Sequence, residues 1–265
     1  MRPIAVSEAH ARYLKALKRD ARLVRLSQIG ILLGVLLLWE LGADLKWFDP
    51  FILSSPSRIA QTVVRLYADG SLWLHIGTTL FETVLGFLLG TLLGALFAVL
   101  LWWMPKLNRV LDPYLVVLNA LPKIALGPVL IVWIGAGTAS IVVMGVLVSL
   151  VVTTVTVLNG FLSTTDEKQL LMRTLGATKL QIFFKVVLPA GVPDLISALK
   201  ISVGMSWVGV IVGEYLVSKA GLGYLIVYGG QVFKLDLVMA SVVILCVLAA
   251  LMYYAVAFLE KKVRQ

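Results

Sequence analysis

Four ionisable side chains lie inside stretches that are otherwise almost entirely apolar: Glu82, Lys123, Lys200 and Glu214. A charge is costly in such surroundings, so each of the four is a candidate for solute contact, gating or ion pairing. Lys200 lies near one end of its stretch, and we expect its long side chain to reach the polar interface. Glu82 lies near the outer end of its own stretch, where its side chain can likewise reach the polar interface.

Lys123 follows Pro122 in a run, 119–128, whose two prolines and glycine should break a helix. Broken helices at membrane depth survive only where protein or a wet cavity surrounds them. We therefore expect Pro122 and Lys123 to line a translocation pathway, where the ammonium group would attract an anionic solute. Glu214 has two interpretations that stay open: part of an outer gate, grouped with Trp207, or simple exposure at the interface.

The sequence contains no constellation that predicts an enzyme. It has no GxxxxGK[ST] phosphate-binding loop, so ATP binding of that kind is not expected. His10 and His75 are far apart and poorly surrounded by acids, which argues against a metal site. The single cysteine, Cys246, lies in an apolar run, so no intramolecular disulfide is possible. We expect no catalytic residues, no metal and no cofactor bound by this chain.

The composition is that of a polytopic membrane protein. Hydrophobic residues make up 60% of the 265 residues and charged residues 14%, and the mean hydropathy is +0.98. The apolar runs leave no room for a separate catalytic domain. The net charge of +9 does not indicate nucleic-acid binding, because the basic residues are not interleaved with exposed aromatic residues.

Six apolar segments are long enough to cross a hydrocarbon layer of about 30 Å. They cover residues 26–42, 78–103, 113–135, 139–159, 195–217 and 237–259. Six crossings place both termini on one side, and the regions on that side hold 16 of the 23 lysines and arginines. That side is therefore predicted to be cytoplasmic.

The N-terminal region is basic, and two interpretations stay open for residues 7–25: a helix on the cytoplasmic face anchored to anionic lipid, and a frayed, solvated tail. Beyond the first segment, Ser57 precedes an apolar-periodic run that predicts an interfacial helix. In the second segment, Gly86, Gly90 and Gly94 form a small-residue stripe that lets another helix approach closely. Gly209 and Gly213 repeat the stripe in the fifth segment.

A polar, amphipathic stretch, 164–189, separates the fourth and fifth segments. Thr164 with Glu167 predicts a capping box for a first short helix, and Gly176 predicts its left-handed stop. Thr178 with Gln181 predicts a second capping box.

The second short helix is predicted to carry an apolar face and to end at a proline. The face consists of Leu180, Phe183, Phe184 and Val187, spaced i, i+3, i+4 and i+7. Pro189 is the expected stop. A surface helix pair of this kind lies either on a membrane or in a groove of another protein.

The spacing of five residues favours the groove. Gly176, Ala177, Phe183, Leu188 and Pro189 resemble the cytoplasmic "EAA" loop of ABC importer permeases. That resemblance implies that the loop docks into a cleft of an ATP-binding subunit and transmits its movements to the membrane helices. The sequence departs from the family pattern at 170–172, where Leu-Leu-Met stands in place of Glu-Ala-Ala.

Three further stretches resemble the nitrate, sulfonate and taurine subgroup of these permeases. They are 119–137, Ser206–Gly209 with Glu214, and Ala220–Gly223. The resemblance implies an all-α membrane protein with the six-helix type I permease fold, in the inner membrane. Residues 1–26 would be a cytoplasmic segment and 27–265 the permease domain, with a coupling loop at about 160–194.

The resemblance also implies partners and a solute class. The partners are a second copy of the chain, two ATP-binding subunits that hold ATP and Mg, an extracytoplasmic binding protein and membrane lipid. The solute would be small and polar or anionic, such as a sulfonate, taurine or nitrate, although related permeases serve pyrimidine vitamin precursors and other heterocycles. One rival is an ion-coupled secondary transporter, which predicts inverted repeats and a carboxylate buried near mid-membrane. The other is a membrane-embedded enzyme, for which the crossings hold too few acidic and histidine residues.

Overall fold

The computed structural model describes residues 8–164 and 166–263, and every regular element within those ranges is helical. The α-helices are α1 (Glu8–Asp44), α2 (Pro50–Leu53), α3 (Pro56–Ala68), α4 (Ser71–Trp103), α5 (Pro105–Ala120), α6 (Gly127–Ile134), α7 (Thr138–Leu162), α8 (Asp166–Thr174), α9 (Lys179–Ile182), α10 (Leu188–Val217), α11 (Leu222–Gln231) and α12 (Leu235–Val263). A 3₁₀ turn, Lys123–Leu126, precedes α6, and a π-helical turn, Phe183–Val187, joins α9 to α10.

Helix α7 is the centre of the fold, with α4 packed on one side and α10 on the other. The predicted glycine stripes form both contacts. A methyl group added to Gly86 would lie 3.4 Å from the Gly145 Cα, and one added to Gly209 would lie 2.8 Å from the same atom. A methyl group on Gly213 would meet the Ile141 Cα at 3.0 Å. The three backbones therefore approach as closely as they do because these positions carry no side chain.

Buried hydroxyl groups also join α4, α7 and α10 to one another. The Thr153 and Ser202 hydroxyls lie 2.6 Å apart between α7 and α10. The Thr154 hydroxyl donates to the Gly94 carbonyl of α4 at 3.2 Å. All three hydroxyl-bearing residues are fully buried, so these bonds satisfy polar groups that lipid could not.

The third apolar segment is broken as predicted. Helix α5 ends at Ala120, Leu121 is extended, and the 3₁₀ turn and α6 continue at 87° to α5. Within residues 8–164 and 166–263, five helices are long and apolar enough to span a membrane, and the bent pair makes a sixth span if it is counted as one. The six predicted segments thus correspond to five helices and one bent pair.

Helix α1 is a single helix of 37 residues. The predicted boundary at residue 26 falls inside it. Of the two interpretations of the basic N-terminal region, the structure shows a helix from Glu8 onward, while residues 1–7 lie outside the described part of the chain. No residue in the most apolar part of this helix is buried against the rest of the described chain.

The predicted interfacial helix exists as α3, but its cap was placed wrongly. Ser55, not Ser57, is the N-cap, and its hydroxyl accepts from the Arg58 amide. Pro56 then occupies the first helical position, which it favours because its fixed φ suits a helix start. Arg58 forms a 2.8 Å ion pair with Asp236 of α12, which fixes α3 to the membrane bundle.

Candidate coupling site and buried polar residues

The turn between α8 and α9 has the geometry that the sequence predicts. Gly176 has φ +79°, its amide donates to the Arg173 carbonyl, and the Ala177 amide reaches back to the Met172 carbonyl. This pair of bonds is the Schellman arrangement that closes a helix C-terminus. The predicted capping box between Thr178 and Gln181 follows at once, with both of its hydrogen bonds present.

Two local predictions in this stretch are wrong. The Thr164 hydroxyl is buried without a hydrogen-bond partner among the described residues, so the first capping box does not form. Pro189 does not end the second helix, because the helix runs unbroken from Lys179 to Val217 over 39 residues. The π turn explains why the proline is tolerated: the Leu188 amide bonds to the Phe183 carbonyl, five residues back. The wider turn accommodates a residue that has no amide hydrogen to donate.

The start of this long helix is anchored to the ends of α4 and α7. Phe183 is 4% exposed, and its ring centroid lies 4.9 Å from that of Trp102 and 5.6 Å from that of Phe161. Ile182 and Val187 are also buried in this cluster. Rings at these separations contribute about 0.5–1.5 kcal/mol per pair beyond the burial of their area.

Lys179 adds a polar anchor at the same place. Its ammonium group lies 5.6 Å and 5.2 Å from the ring centroids of Trp102 and Trp103, and it donates a hydrogen bond to the Trp103 carbonyl. Within 6 Å of an aromatic centroid, a cation is attracted by the ring face. The charge therefore fixes the helix start to the end of α4, beside a cavity of about 370 Å³ that Arg173 and Gln169 also line.

The predicted apolar face is divided between two directions. Phe183 and Val187 point into the aromatic cluster, whereas Leu180 and Phe184 are 55% and 57% exposed. Further apolar side chains of the preceding turn and helix are exposed beside them: Leu170, Leu171 and Leu175. We call these five exposed residues the apolar docking surface. Leu188 is half-buried and Pro189 is exposed.

The four residues predicted for a pathway or gate divide between two places: Pro122 and Lys123 lie at the bend between α5 and α6, whereas Trp207 and Glu214 are buried in α10. Pro122 is exposed at the bend between α5 and α6, and Lys123 is half-buried there, its ammonium donating to the Asn119 carbonyl at 3.0 Å. Trp207 is 6% exposed and packs with Phe87 and Val256 inside the bundle.

Glu82 and Glu214 are buried inside the helix bundle. Each is 1% exposed, and the carboxyl groups, one on α4 and one on α10, are close enough to interact electrostatically. Interfacial exposure is therefore wrong for both residues. Lys200 pairs with Glu260, which lies near the end of α12.

The Glu82–Glu214 pair lies under the first turn of α11. Three consecutive backbone amides there donate to buried side chains: Gly221 to His75 Nδ1 at 3.0 Å, Leu222 to Thr79 Oγ1 at 2.8 Å, and Gly223 to Glu214 Oε2 at 2.6 Å. Sequence reasoning missed this cluster. A signal was present, since His75, Thr79 and Glu82 continue the helical spacing of the glycine stripe that starts at Gly86.

The comparisons with known proteins agree with this fold. Residues 90–265 match the family described as binding-protein-dependent transport system inner membrane component. The chain belongs to that family and is a multi-pass inner-membrane permease subunit of an ABC importer.

Curated relatives cover nearly the whole chain. A probable ABC transporter permease protein of Haemophilus influenzae is 35% identical over 89% of this chain and 96% of its own length. The formylaminopyrimidine transport permease protein ThiX of Halalkalibacterium halodurans is 32% identical, covering 86% and 90%. The taurine transport system permease protein TauC of Escherichia coli is 25% identical, covering 96% and 94%.

A solved structure supports the fold. The MetNI methionine ABC transporter, in inward-facing conformations, aligns with a TM-score of 0.63 at 23% identity, covering 72% of this chain and 97% of that chain. At that level of identity the likeness concerns the fold alone. The all-α, type I ABC importer permease fold predicted from the sequence is thus confirmed.

Proposed function

We propose that this chain, as one of two identical copies, imports a small polar or anionic solute, with energy from two ATP-binding subunits that carry the ATP and Mg. The observation that carries the proposal is the apolar docking surface at the start of the helix Lys179–Val217. Exposed apolar side chains on a polar, capped turn fit a protein groove. The continuous helix beneath them joins that turn directly to the membrane bundle.

The proposal places both termini and the docking surface in the cytoplasm, where ATP is available. The charge distribution supports this orientation, because the regions that would then face the cytoplasm hold most of the lysines and arginines. The loops at the other ends of the spans, including α2, α3 and the turn before α11, would face an extracytoplasmic binding protein.

The second copy would pack against the bent pair of α5 and α6. This part of the chain exposes Val132, Trp133 and Tyr114, which are 82%, 78% and 62% accessible. Lys123 lies at the bend itself, so a pair of copies would bring two lysines toward one pathway. Such a pair would attract an anion by simple charge complementarity.

The solute class rests on this charge and on what the relatives are named for. Their names give taurine, aliphatic sulfonates, formylaminopyrimidine and riboflavin. We propose a sulfonate-, taurine- or nitrate-like solute for this chain, because Lys123 favours an anion. The alternative, an ion-coupled secondary transporter, is consistent with the buried carboxyl groups of Glu82 and Glu214, but family membership favours ATP-driven import.

The decisive experiment is co-purification of the chain with an ATP-binding subunit from its native host, followed by ATP hydrolysis and uptake in proteoliposomes. We expect a stoichiometric complex in which uptake requires ATP and the binding protein. Uptake driven by an ion gradient without an ATP-binding subunit would establish the rival instead.

A further inference from the structure

The Glu82–Glu214 pair leaves three oxygen atoms without a hydrogen-bond partner among the described residues. These are both carboxyl oxygens of Glu82 and Oε1 of Glu214, while Glu214 Oε2 accepts from the Gly223 amide. No lysine or arginine in the described part of the chain pairs with either carboxyl group. Two ionised carboxylates close together and out of water would each lack compensation, so such pairs hold a proton in common.

The surroundings decide which carboxyl group keeps the charge. Glu214 accepts from the Gly223 amide in the first turn of α11, where the helix dipole favours an anion. The Thr79 hydroxyl, which accepts from the Leu222 amide, lies within reach to donate to Glu214 as well. Glu82 has no backbone amide directed at it among the described residues, and only the Thr138 hydroxyl lies beside it.

We infer that Glu82 is the protonated member and donates to an ionised Glu214, so that the pair fixes the N-terminus of α11 to the Val217 end of α10. One proton between the two groups satisfies Glu214 Oε1 and one oxygen of Glu82. Glu214 is then a positioning residue whose partner is the α11 backbone. The arrangement leaves no room for side chains in the turn, since a methyl group on Gly221 would lie 2.5 Å from the Glu214 carboxyl carbon.

This clamp has a mechanical consequence that rests on the proposed function, although the clamp itself does not. The helix that starts at Lys179 beside the docking surface carries Glu214 three residues before its end at Val217. Movement of the docking surface would therefore reach α11 through one helix and one carboxylate.

The clamp is tested by amide hydrogen exchange of the purified complex, read on peptides that cover 218–225. Glu214→Gln should raise exchange there by about tenfold or more, because a charged hydrogen bond to the backbone is lost. Glu82→Gln should leave exchange unchanged, since the Gln amide donates as a protonated carboxyl group does. Thr153→Val, in the α7–α10 contact away from the cluster, is the matched control and should not affect this turn.

Equal exchange increases in Glu82→Gln and Glu214→Gln would overturn the proton assignment, and no increase in either would overturn the clamp. If Glu214→Gln does not fold, Thr79→Val replaces it, with higher exchange expected at 221–223 and recovery in Thr79→Ser.

Transmission through the clamp is read from ATP hydrolysis of the complex with and without the binding protein. In Glu214→Gln, the stimulated-to-basal ratio should fall by about fivefold or more, the loss of one charged hydrogen bond, with basal hydrolysis retained. An unchanged ratio would overturn transmission through the clamp while leaving the proposed import function intact.

Discussion

Gly176 shows how one residue sets the geometry of the turn between α8 and α9. Its φ of +79° is a conformation that side chains disfavour, yet a methyl group there would meet nothing within 4 Å. The requirement is therefore for backbone conformation alone and not for space. This distinction separates it from the glycines of the membrane bundle.

Gly176→Val should destabilise the turn by about 1–2 kcal/mol, the cost of a side chain in the left-handed region. Coupling should fall with it, measured as uptake per ATP hydrolysed. Gly176→Asn is the matched control, because Asn tolerates this conformation. A valine variant that co-purifies with its ATP-binding subunit and transports normally would show that the turn geometry is not required.

Lys123→Ala should lower uptake of an anionic solute while leaving assembly intact. Among the described residues the ammonium group has no ion-pair partner, and it donates to the Asn119 carbonyl at the end of α5, so its removal breaks no salt bridge. Uptake is measured beside Lys123→Arg, which keeps the charge, and Lys219→Ala, which removes an exposed lysine elsewhere. Wild-type uptake in Lys123→Ala would remove this residue from the pathway.

At this scale, sequence reasoning worked where the signal was local and failed where it was not. Gly176 and the Thr178–Gln181 box follow from neighbours within three residues. The position of Glu82 depended on Glu214, which is far away in sequence, and distance from a helix end gave no hint of it. The ion pair of Lys200 was missed for the same reason, because Glu260 lies on another helix.

Among the elements, the helix Lys179–Val217 is the one that joins the turn between α8 and α9 to the helix bundle. Its first turns present two neighbouring phenylalanines in opposite directions, Phe183 inward and Phe184 outward. Because both residues are phenylalanines, substituting one at a time distinguishes the anchoring role of Phe183 from the docking role proposed for Phe184.

Phe183→Ala should destabilise the cluster by about 3–5 kcal/mol, as the loss of a buried aromatic ring does. Phe184→Ala should leave the thermal stability of the chain unchanged and weaken co-purification with the ATP-binding subunit. Melting in detergent and quantitative pull-down measure the two effects. The assignment fails if the two variants lose stability equally.

Gly209→Ala should destabilise the bundle by about 1–3 kcal/mol, the cost of inserting a methyl group into a well-packed interior. The added Cβ would lie 2.8 Å from backbone atoms of α7, which cannot move aside cheaply. Gly204→Ala, on the same helix with nothing within 4 Å, is the control and should be neutral or slightly stabilising. Unfolding in detergent compares the two, and equal melting would contradict close backbone packing here.

The elements themselves were largely predictable. Apolar runs located the spans, and the stripes at Gly86 and Gly209 indicated which faces pack. The run through Pro189 was not predictable, because nothing local announces a π turn that accommodates a proline. The start of α3 was misplaced by two residues, since Ser55 and Ser57 are equally good caps by residue type.

Three closely packed helices form the centre of the molecule, and α1 and α12 outside them bury few of their residues. Helices α4, α7 and α10 bury polar and small residues, whereas α1 and most of α12 face outward. Fold class and family were accessible from sequence because composition and one loop motif agreed. The close pairing of two buried acids was not, since it depends on the mutual placement of three helices.

Orientation can be measured with single cysteines in a Cys246→Ala background. Leu175→Cys should react with a membrane-impermeant maleimide only after the cytoplasmic face is opened, because it is 74% exposed on the docking surface. Lys219→Cys should react in intact cells, since it precedes α11 on the opposite side. The reverse pattern of labelling would invert the topology and exclude the ATP-binding partner from the docking surface.

Gly145, which meets both Gly86 and Gly209, has a consequence for how this protein can diverge. The outer faces of the spans can change freely among apolar residues, because lipid is a permissive neighbour. Position 145 has less latitude, since a methyl group there would lie 3.0 Å from the Val210 side chain and 3.6 Å from the Gly86 main chain. In a saturation library selected for uptake, side chains larger than that of alanine should therefore be depleted at this position.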